Sequence, residues 1–398
     1  MPVEPLKLRP ILLAVAVATA GVLPAFLTGG LAVQVRDELN FGSGALGLAV
    51  AAFFGFSALM SVLMGRVVER LGSHRAMRLA AVGSAAALLG VAVFARSWTG
   101  LVVCLMLGGL ANATAHPATH LSLAREVPAG RQGLSFGIKQ AAIPTATLLA
   151  GLAVPTLAVT VGWRWAFAGA AALALCVALI VPAERLGGVH RVKAARAGDV
   201  RIAPLVLLAV GIGLGSTAAT PLGAFIVESS VVSGLRVETA GLLLALGSAF
   251  SIVVRIFLGN LADKMNGGRL RLVAAMLGIG VAGFVMLSTG IDSLLVVGTL
   301  LAFGAGWGWP GLFNFAVVKT NPNAPAAATG VTQTGASGGA ALGPLVFGLV
   351  VEGSSYSTAW LVCGAFALAA LAAILAGRHM LLRDRAVNRN ATLEAEQG

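Results

Sequence analysis

Stretches of about twenty apolar residues, each long enough to cross roughly 30 Å of hydrocarbon, recur along this whole 398-residue chain. Twelve are counted, at about 10–35, 44–68, 76–95, 98–122, 132–158, 163–182, 203–228, 237–262, 271–290, 292–318, 326–351 and 357–377. With 58% hydrophobic and only 11% charged residues, and a mean hydropathy of +0.93, the chain has too little polar surface for a water-soluble domain. The expected fold is an all-α membrane protein with twelve transmembrane helices. Its 52 glycines would weaken soluble helices, but in lipid small residues let helices approach closely. The first run lacks a small-residue cleavage site after a short apolar core, so it reads as a retained span.

The net charge of +12 is spread unevenly. Arg36, Arg96, Arg164 and Arg236 fall in loops after odd-numbered spans, and Lys139 and Arg255 fall inside spans. Every other Lys and Arg lies at the termini or in loops after even-numbered spans. The positive-inside rule therefore assigns both termini to the cytoplasm, in a multi-pass protein of the plasma or inner membrane. A nucleic-acid partner would need a soluble basic face with groove-reading or aromatic elements, and none is visible. Cys104, Cys176 and Cys363 all sit within spans without ligand spacing, so neither a disulfide nor a metal site is expected.

A basic, polar stretch interrupts the apolar pattern near the middle, carrying Arg185, Arg191, Lys193, Arg196 and Arg201. It divides the chain into a six-helix bundle at 1–182, a cytoplasmic linker at 183–202, a second six-helix bundle at 203–378 and a tail at 379–398. The halves repeat. Gly65-Arg-Val-Val-Glu69-Arg70-Leu-Gly72-Ser-His-Arg75 follows span 2, and Gly259-Asn-Leu-Ala-Asp263-Lys264 follows in the same place after span 8, 194 positions on. Pro117 and Pro310, Gly137 and Gly330, and Gln140 and Gln333 each match at an offset of 193. Paired repeats of this kind form the rocking bodies of secondary transporters, with a site between them near mid-membrane.

With these loops the chain resembles the major facilitator superfamily over essentially its full length. The signature loop there is Gly-x-x-x-Asp-Arg/Lys-x-Gly-x-Arg/Lys-Arg/Lys. The second copy matches at Gly259, Asp263 and Lys264, and the first has Glu69 in place of Asp. Gly162-Trp-Arg-Trp-Ala-Phe167 is similar to a further stretch common in the superfamily. The resemblance implies two pseudo-symmetric six-helix bundles. It also implies that Glu69 with Arg70 and Arg75, and Asp263 with Lys264, hold the cytoplasmic side shut in the outward-open state. Surface charges that merely set topology are the alternative for these five residues.

Lys139 and Arg255 are the charges a membrane should exclude, each costing on the order of 3 kcal/mol near the bilayer centre. Lys139 lies roughly 10 Å inside the cytoplasmic end of span 5, where a lysine can also snorkel to the headgroups. Arg255, Gly259 and Asp263 are spaced four apart and share one stripe of span 8. That order is similar to span 8 of oxalate/formate-type and monocarboxylate-type members, in which the arginine meets the substrate carboxylate. The planar donor fork suits a carboxylate, while bonds to backbone carbonyls are the structural alternative. The oxalate-type pattern also places a lysine in span 11. Here the repeat partner of Lys139 is Thr332, so the second cation sits in the other half.

Asn112, His116 and His120 form a polar stripe on span 4, with His116 deep enough to carry a proton and His120 near the interface. Trp307 and Asn314 in span 10, and Gln140 and Gln333 in spans 5 and 11, complete the expected substrate-binding set. No catalytic pair, metal cluster or nucleotide loop is present, so neither enzyme chemistry nor a cofactor is expected. The expected function is gradient-driven transport of a small organic anion, a carboxylate by preference, by alternating access with protons as candidate co-substrate, in a monomer. Efflux of drugs or amphipathic metabolites is the alternative. Against it stand Ile143-Pro144 in span 5 and the lack of a membrane-buried acid other than Glu228 at the outer end of span 7.

Overall fold

The structure is a computed structural model that describes residues 8–127, 132–182, 202–265, 267–321 and 325–397. Among these residues there are helices and no strand. Twelve helices are long and apolar enough to span a bilayer, in the expected order: Leu8–Gly30, Ser43–Leu71, Ser73–Phe94, Trp98–Glu126, Gly137–Ala158, Trp163–Ile180, Ile202–Val232, Val237–Lys264, Arg269–Ser288, Asp292–Thr320, Ala328–Gly353 and Tyr356–Arg383. They are called spans 1 to 12. The linker arginines and Lys193 lie outside the described residues.

Two boundaries differ from the expectation. Span 1 stops at Gly30, and a separate helix, Ala32–Leu39, carries the polar end of the expected run. It terminates at Asn40 in the left-handed conformation, which asparagine tolerates better than most residues. The last helix runs from Tyr356 to Gln397, so the tail continues span 12 instead of leaving it.

Even parity brings both termini to one end of the molecule, the end rich in Lys and Arg. At the far end the Gly162–Phe167 stretch has a concrete task. Gly162 turns the chain with a positive φ of 104°. Trp163 Nε1 then donates to Glu38 Oε2 at 2.6 Å, and Arg164 donates to Glu38 Oε1 at 2.7 Å and to the Ala95 carbonyl at 3.0 Å. Glu38 on the short helix thus ties that helix to the start of span 6, and Arg164 ties the same point to the end of span 3.

The two halves meet along three seams: span 1 against 7, span 2 against 11 and span 5 against 8. Glycine permits each. A Cβ on Gly29 would lie 2.4 Å from Ala224 Cα, one on Gly47 2.3 Å from the Pro344 carbonyl, and one on Gly151 2.6 Å from the Gly241 carbonyl. Span 5 stays against span 8 down to the basic end, where a Cβ on Gly137 would come within 2.9 Å of Gly259 Cα. Spans 2 and 11 behave otherwise. They touch at Gly47 and Gly348, yet Gly55 and Gly65 on span 2, and Gly330 and Gly338 on span 11, have nothing within 4 Å of a would-be Cβ. The bundle is closed at the far end and parted between spans 2 and 11 at the basic end.

Far-end closure therefore depends on residues without side chains. Gly47→Leu should wedge that seam apart. Spin labels at Arg96 and Asp292, exposed on the far-end loops of the two halves, should then report a population at longer separation. An unchanged distance distribution would show that packing at Gly47 does not limit closure.

Candidate functional site

Two broken helices and one arginine form the centre of the site. Span 5 is divided into Gln132–Gln140 and Ala142–Ala153. Pro144 has no amide hydrogen, so the Gln140 carbonyl, four residues earlier, lacks its helical donor. Span 10 is divided too: Asp292–Leu301 runs into a π-helical turn, Ala302–Gly306, and the helix restarts at Pro310. Pro310 strips the Gly306 carbonyl of its donor in the same way, and Trp309 Nε1 fills the vacancy at 2.8 Å. The Trp307 carbonyl lies in the non-helical turn between the two pieces.

Arg255 answers both breaks. Its Nη1 donates to the Gln140 carbonyl at 2.8 Å, its Nη2 donates to the Trp307 carbonyl, and Ser251 Oγ accepts from Nε at 3.4 Å. The side chain is 1% exposed. Charge-assisted bonds of this type hold about 1.5–3 kcal/mol each, which offsets part of the several kcal/mol needed to bury the ion. Here the fork grips backbone from both halves. Three of its five N–H donors are engaged in these bonds.

Lys139, one residue before Gln140, does not snorkel. It is 3% exposed, and its Nζ lies 3.3 Å from His116 Nδ1 and 3.3 Å from His120 Nε2. For a charged lysine to donate to both rings, His116 must carry its proton on Nε2 and His120 on Nδ1. The expectation that His120 is merely interfacial is corrected, because its i+4 position beside His116 turns both rings onto one ammonium. Among the described residues no carboxylate forms an ion pair with Lys139. Three basic side chains thus converge on one another.

The remaining expected contacts are distributed around this centre. Trp307 is buried and packs edge-on against Phe26 of span 1, with ring centroids 5.6 Å apart, and against Phe303 at 5.7 Å. Asn112 turns toward span 2, donating to Ser57 Oγ at 2.9 Å, while its Oδ1 is buried without a partner. Gln140 and Asn314 are half-buried. Gln333 is exposed on the parted stretch of span 11, away from the buried cluster.

The loop charges are in an open arrangement. Glu69, Arg70, Arg75, Asp263 and Lys264 are all exposed. Glu69 has no ion pair among the described residues. Glu126 at the end of span 4 is the carboxylate engaged there, accepting from Ser122 Oγ at 2.7 Å and lying 3.7 Å from His74. A shut gate is not what this conformation contains, in keeping with spans 2 and 11 being parted at that end.

Sequence reasoning missed the lock at the opposite end. Glu228, 5% exposed, forms an ion pair with Arg36 across the two halves. Ser43 joins it, accepting from Arg36 Nη1 at 3.1 Å and lying 3.3 Å from the Tyr356 hydroxyl. The partners are 192 residues apart, and only the singular placement of an acid at the end of span 7 signalled it.

Comparison with known proteins agrees with this architecture. The family model described as Major Facilitator Superfamily matches residues 11–293 and 205–396. The chain belongs to the Major Facilitator Superfamily. Among its relatives, an uncharacterized MFS-type transporter of Mycobacterium tuberculosis is 25% identical over 341 residues, covering 81% of this chain and 72% of that protein. The chloramphenicol resistance protein of Streptomyces lividans is 25% identical over 349 residues, covering 84% and 87%. Of solved structures, a bacterial homologue of the human lysosomal transporter Spinster, in an inward-facing and occupied conformation, aligns with a TM-score of 0.73 at 16% identity, over 96% of this chain and 99% of that one. The nucleoside transporter NupG aligns with a TM-score of 0.69 at 14% identity, over 92% and 99%. At these identities the structures establish the fold. This superfamily member is a multi-pass membrane transporter.

Removing the fork would leave two buried carbonyls without donors. Arg255→Ala should cost about 2–4 kcal/mol in denaturant unfolding, and Arg255→Lys, with one compact ammonium, should recover less than half of that. Wild-type stability in Arg255→Ala would remove the arginine from its bridging role.

Proposed function

We propose that this transporter carries a small organic anion, a carboxylate by preference, by alternating access, and that Lys139 with His116 and His120 receives it. The observation behind this reading is the convergence of one buried lysine and two half-buried histidines, with no carboxylate paired to the lysine among the described residues. An ammonium inside a membrane protein is expensive to keep unpaired. Two neutral imidazoles give it acceptors but no opposite charge, whereas a carboxylate supplies both. The two imidazoles are also the proposed carriers of a proton moved together with the anion. Arg255 is the second proposed contact, reached when the halves move and its carbonyl bonds exchange. Gln140, Trp307, Asn112, Asn314 and Gln333 are proposed as walls of the path. Glu69, Arg70, Arg75, Asp263 and Lys264 are proposed as the charges that meet when the basic end shuts.

A second reading, export of a drug or amphipathic metabolite, is favoured by the likeness to the chloramphenicol resistance protein. The aromatic contact between Phe26 and Trp307 across the two halves would serve such a solute.

Counterflow in proteoliposomes separates the two. Labelled mono- and dicarboxylates should exchange in wild type, fall by about tenfold or more in Lys139→Gln and persist in part in Lys139→Arg. Carboxylate exchange that survives Lys139→Gln would remove Lys139 from the site, and absence of carboxylate exchange in wild type would overturn the anion reading. Chloramphenicol exchange insensitive to the same change would put the efflux reading in its place.

A further inference from the structure

A second cationic feature lies apart from the central cluster, in the half formed by spans 7 to 12. Between the start of span 9, the end of span 10 and the end of span 12 is a cavity of about 580 Å³. Its wall carries Arg269, Lys319 and Arg378, one cation from each of the three spans, with Asp263 the single acid. The charges are not equivalent. Arg269 is committed to the fold: its Nε and Nη2 donate to the Ala262 carbonyl at 3.1 and 2.9 Å, its Nη2 also to the Met265 carbonyl, and its planar group lies 5.1 Å from the centre of the Phe315 ring. Asp263 interacts electrostatically with that same arginine.

Lys319 and Arg378 are left over. Neither has an ion pair or hydrogen bond among the described residues. Lys319 is held only by the face of Phe315, 5.4 Å from the ring centre, and Arg378 is half-buried. Beside these cations the wall is apolar, formed by Phe315, Leu381 and Leu382, and Leu382 is 44% exposed at the helix surface. A polar, doubly cationic recess thus opens next to an apolar flank at the membrane boundary, on the side the charge asymmetry assigns to the cytoplasm. A free anion needs only the cations. An anion carried on an acyl chain uses both walls.

We infer that this recess is a phosphate site, occupied by the headgroup of an anionic phospholipid of the cytoplasmic leaflet. The phosphate sits between Lys319 and Arg378, and the acyl chain runs along Leu382. Basic recesses between membrane helices recognise anionic headgroups through this combination of charge and apolar surface. Asp263 excludes anions from the Arg269 side and so confines the phosphate to the two unpaired cations. The site is independent of the transported solute, because it involves no residue of the central cluster.

The test uses the full-length protein in nanodiscs of phosphatidylcholine, alone, with phosphatidylglycerol added, or with inorganic phosphate added to the buffer. Wild type should melt several degrees higher with phosphatidylglycerol, and native mass spectrometry should show one retained phosphatidylglycerol molecule. In Lys319→Gln/Arg378→Gln the melting shift should fall by at least about half and retention by about tenfold. Equal shifts and retention in wild type and variant would overturn the site. A full shift produced by inorganic phosphate in phosphatidylcholine alone would overturn the lipid as its source. Should the double variant fail to fold, Lys319→Gln alone, at an exposed side chain, carries the comparison.

Discussion

The grip of one guanidinium on two interrupted helices is the interaction on which the centre of this protein depends. Proline in spans 5 and 10 breaks the main-chain ladder inside the membrane-spanning bundle. Such breaks persist only when another donor is supplied. Arg255 bonds to a carbonyl beside each break, Gln140 in one half and Trp307 in the other. The cost of burying the cation and the cost of breaking the helices offset each other. That explains why a residue so ill-suited to lipid stands in the middle of span 8.

The same contact explains why two equivalent seams behave differently. The repeat makes span 5 against 8 the counterpart of span 11 against 2. At the offset of 194, Ser61 of span 2 corresponds to Arg255, and at 193 Gln333 corresponds to Gln140. Ser61 donates to the Ser57 carbonyl of its own helix at 2.7 Å, and Gln333 is exposed. Where the arginine is present the seam stays closed to the basic end, and where a serine replaces it the helices part. The two pseudo-symmetric seams thus carry side chains of different reach at this position. At the far end the Arg36–Glu228 pair holds the halves together while the basic end stands open.

Much of this was legible in the linear chain. Span number and order follow from hydropathy alone, because lipid admits so few ways to satisfy a backbone. The repeat and the family loops identified the two bodies. Lys139 and Arg255 stood out because isolated cations in apolar helices demand a partner. What remained hidden was the partner. Gln140 O and Trp307 O are main-chain atoms, and sequence shows main-chain acceptors only indirectly, through a nearby proline: Pro144 four residues after Gln140, and Pro310 three after Trp307. His120 reads as an interfacial residue when depth is counted along one helix. The ring's neighbour comes from span 5, and crossing geometry determines which residues meet. The Arg36–Glu228 pair was hidden for a similar reason, since it joins segments far apart in the chain whose proximity exists only once the halves have docked. Glu69 departs from the family aspartate, and in this conformation it is exposed and has no ion pair among the described residues.

The uninterrupted packing of Gly137 on Gly259 has a mechanical result. Two covers bound along one spine do not separate evenly; they open as a wedge, widest at the fore-edge. The mouth here is widest between spans 2 and 11 and narrows toward the spine, where Lys139 and Arg255 reside. A solute admitted through such an aperture travels sideways and inward, so its thickness at the leading edge, more than its overall bulk, limits how deep it goes.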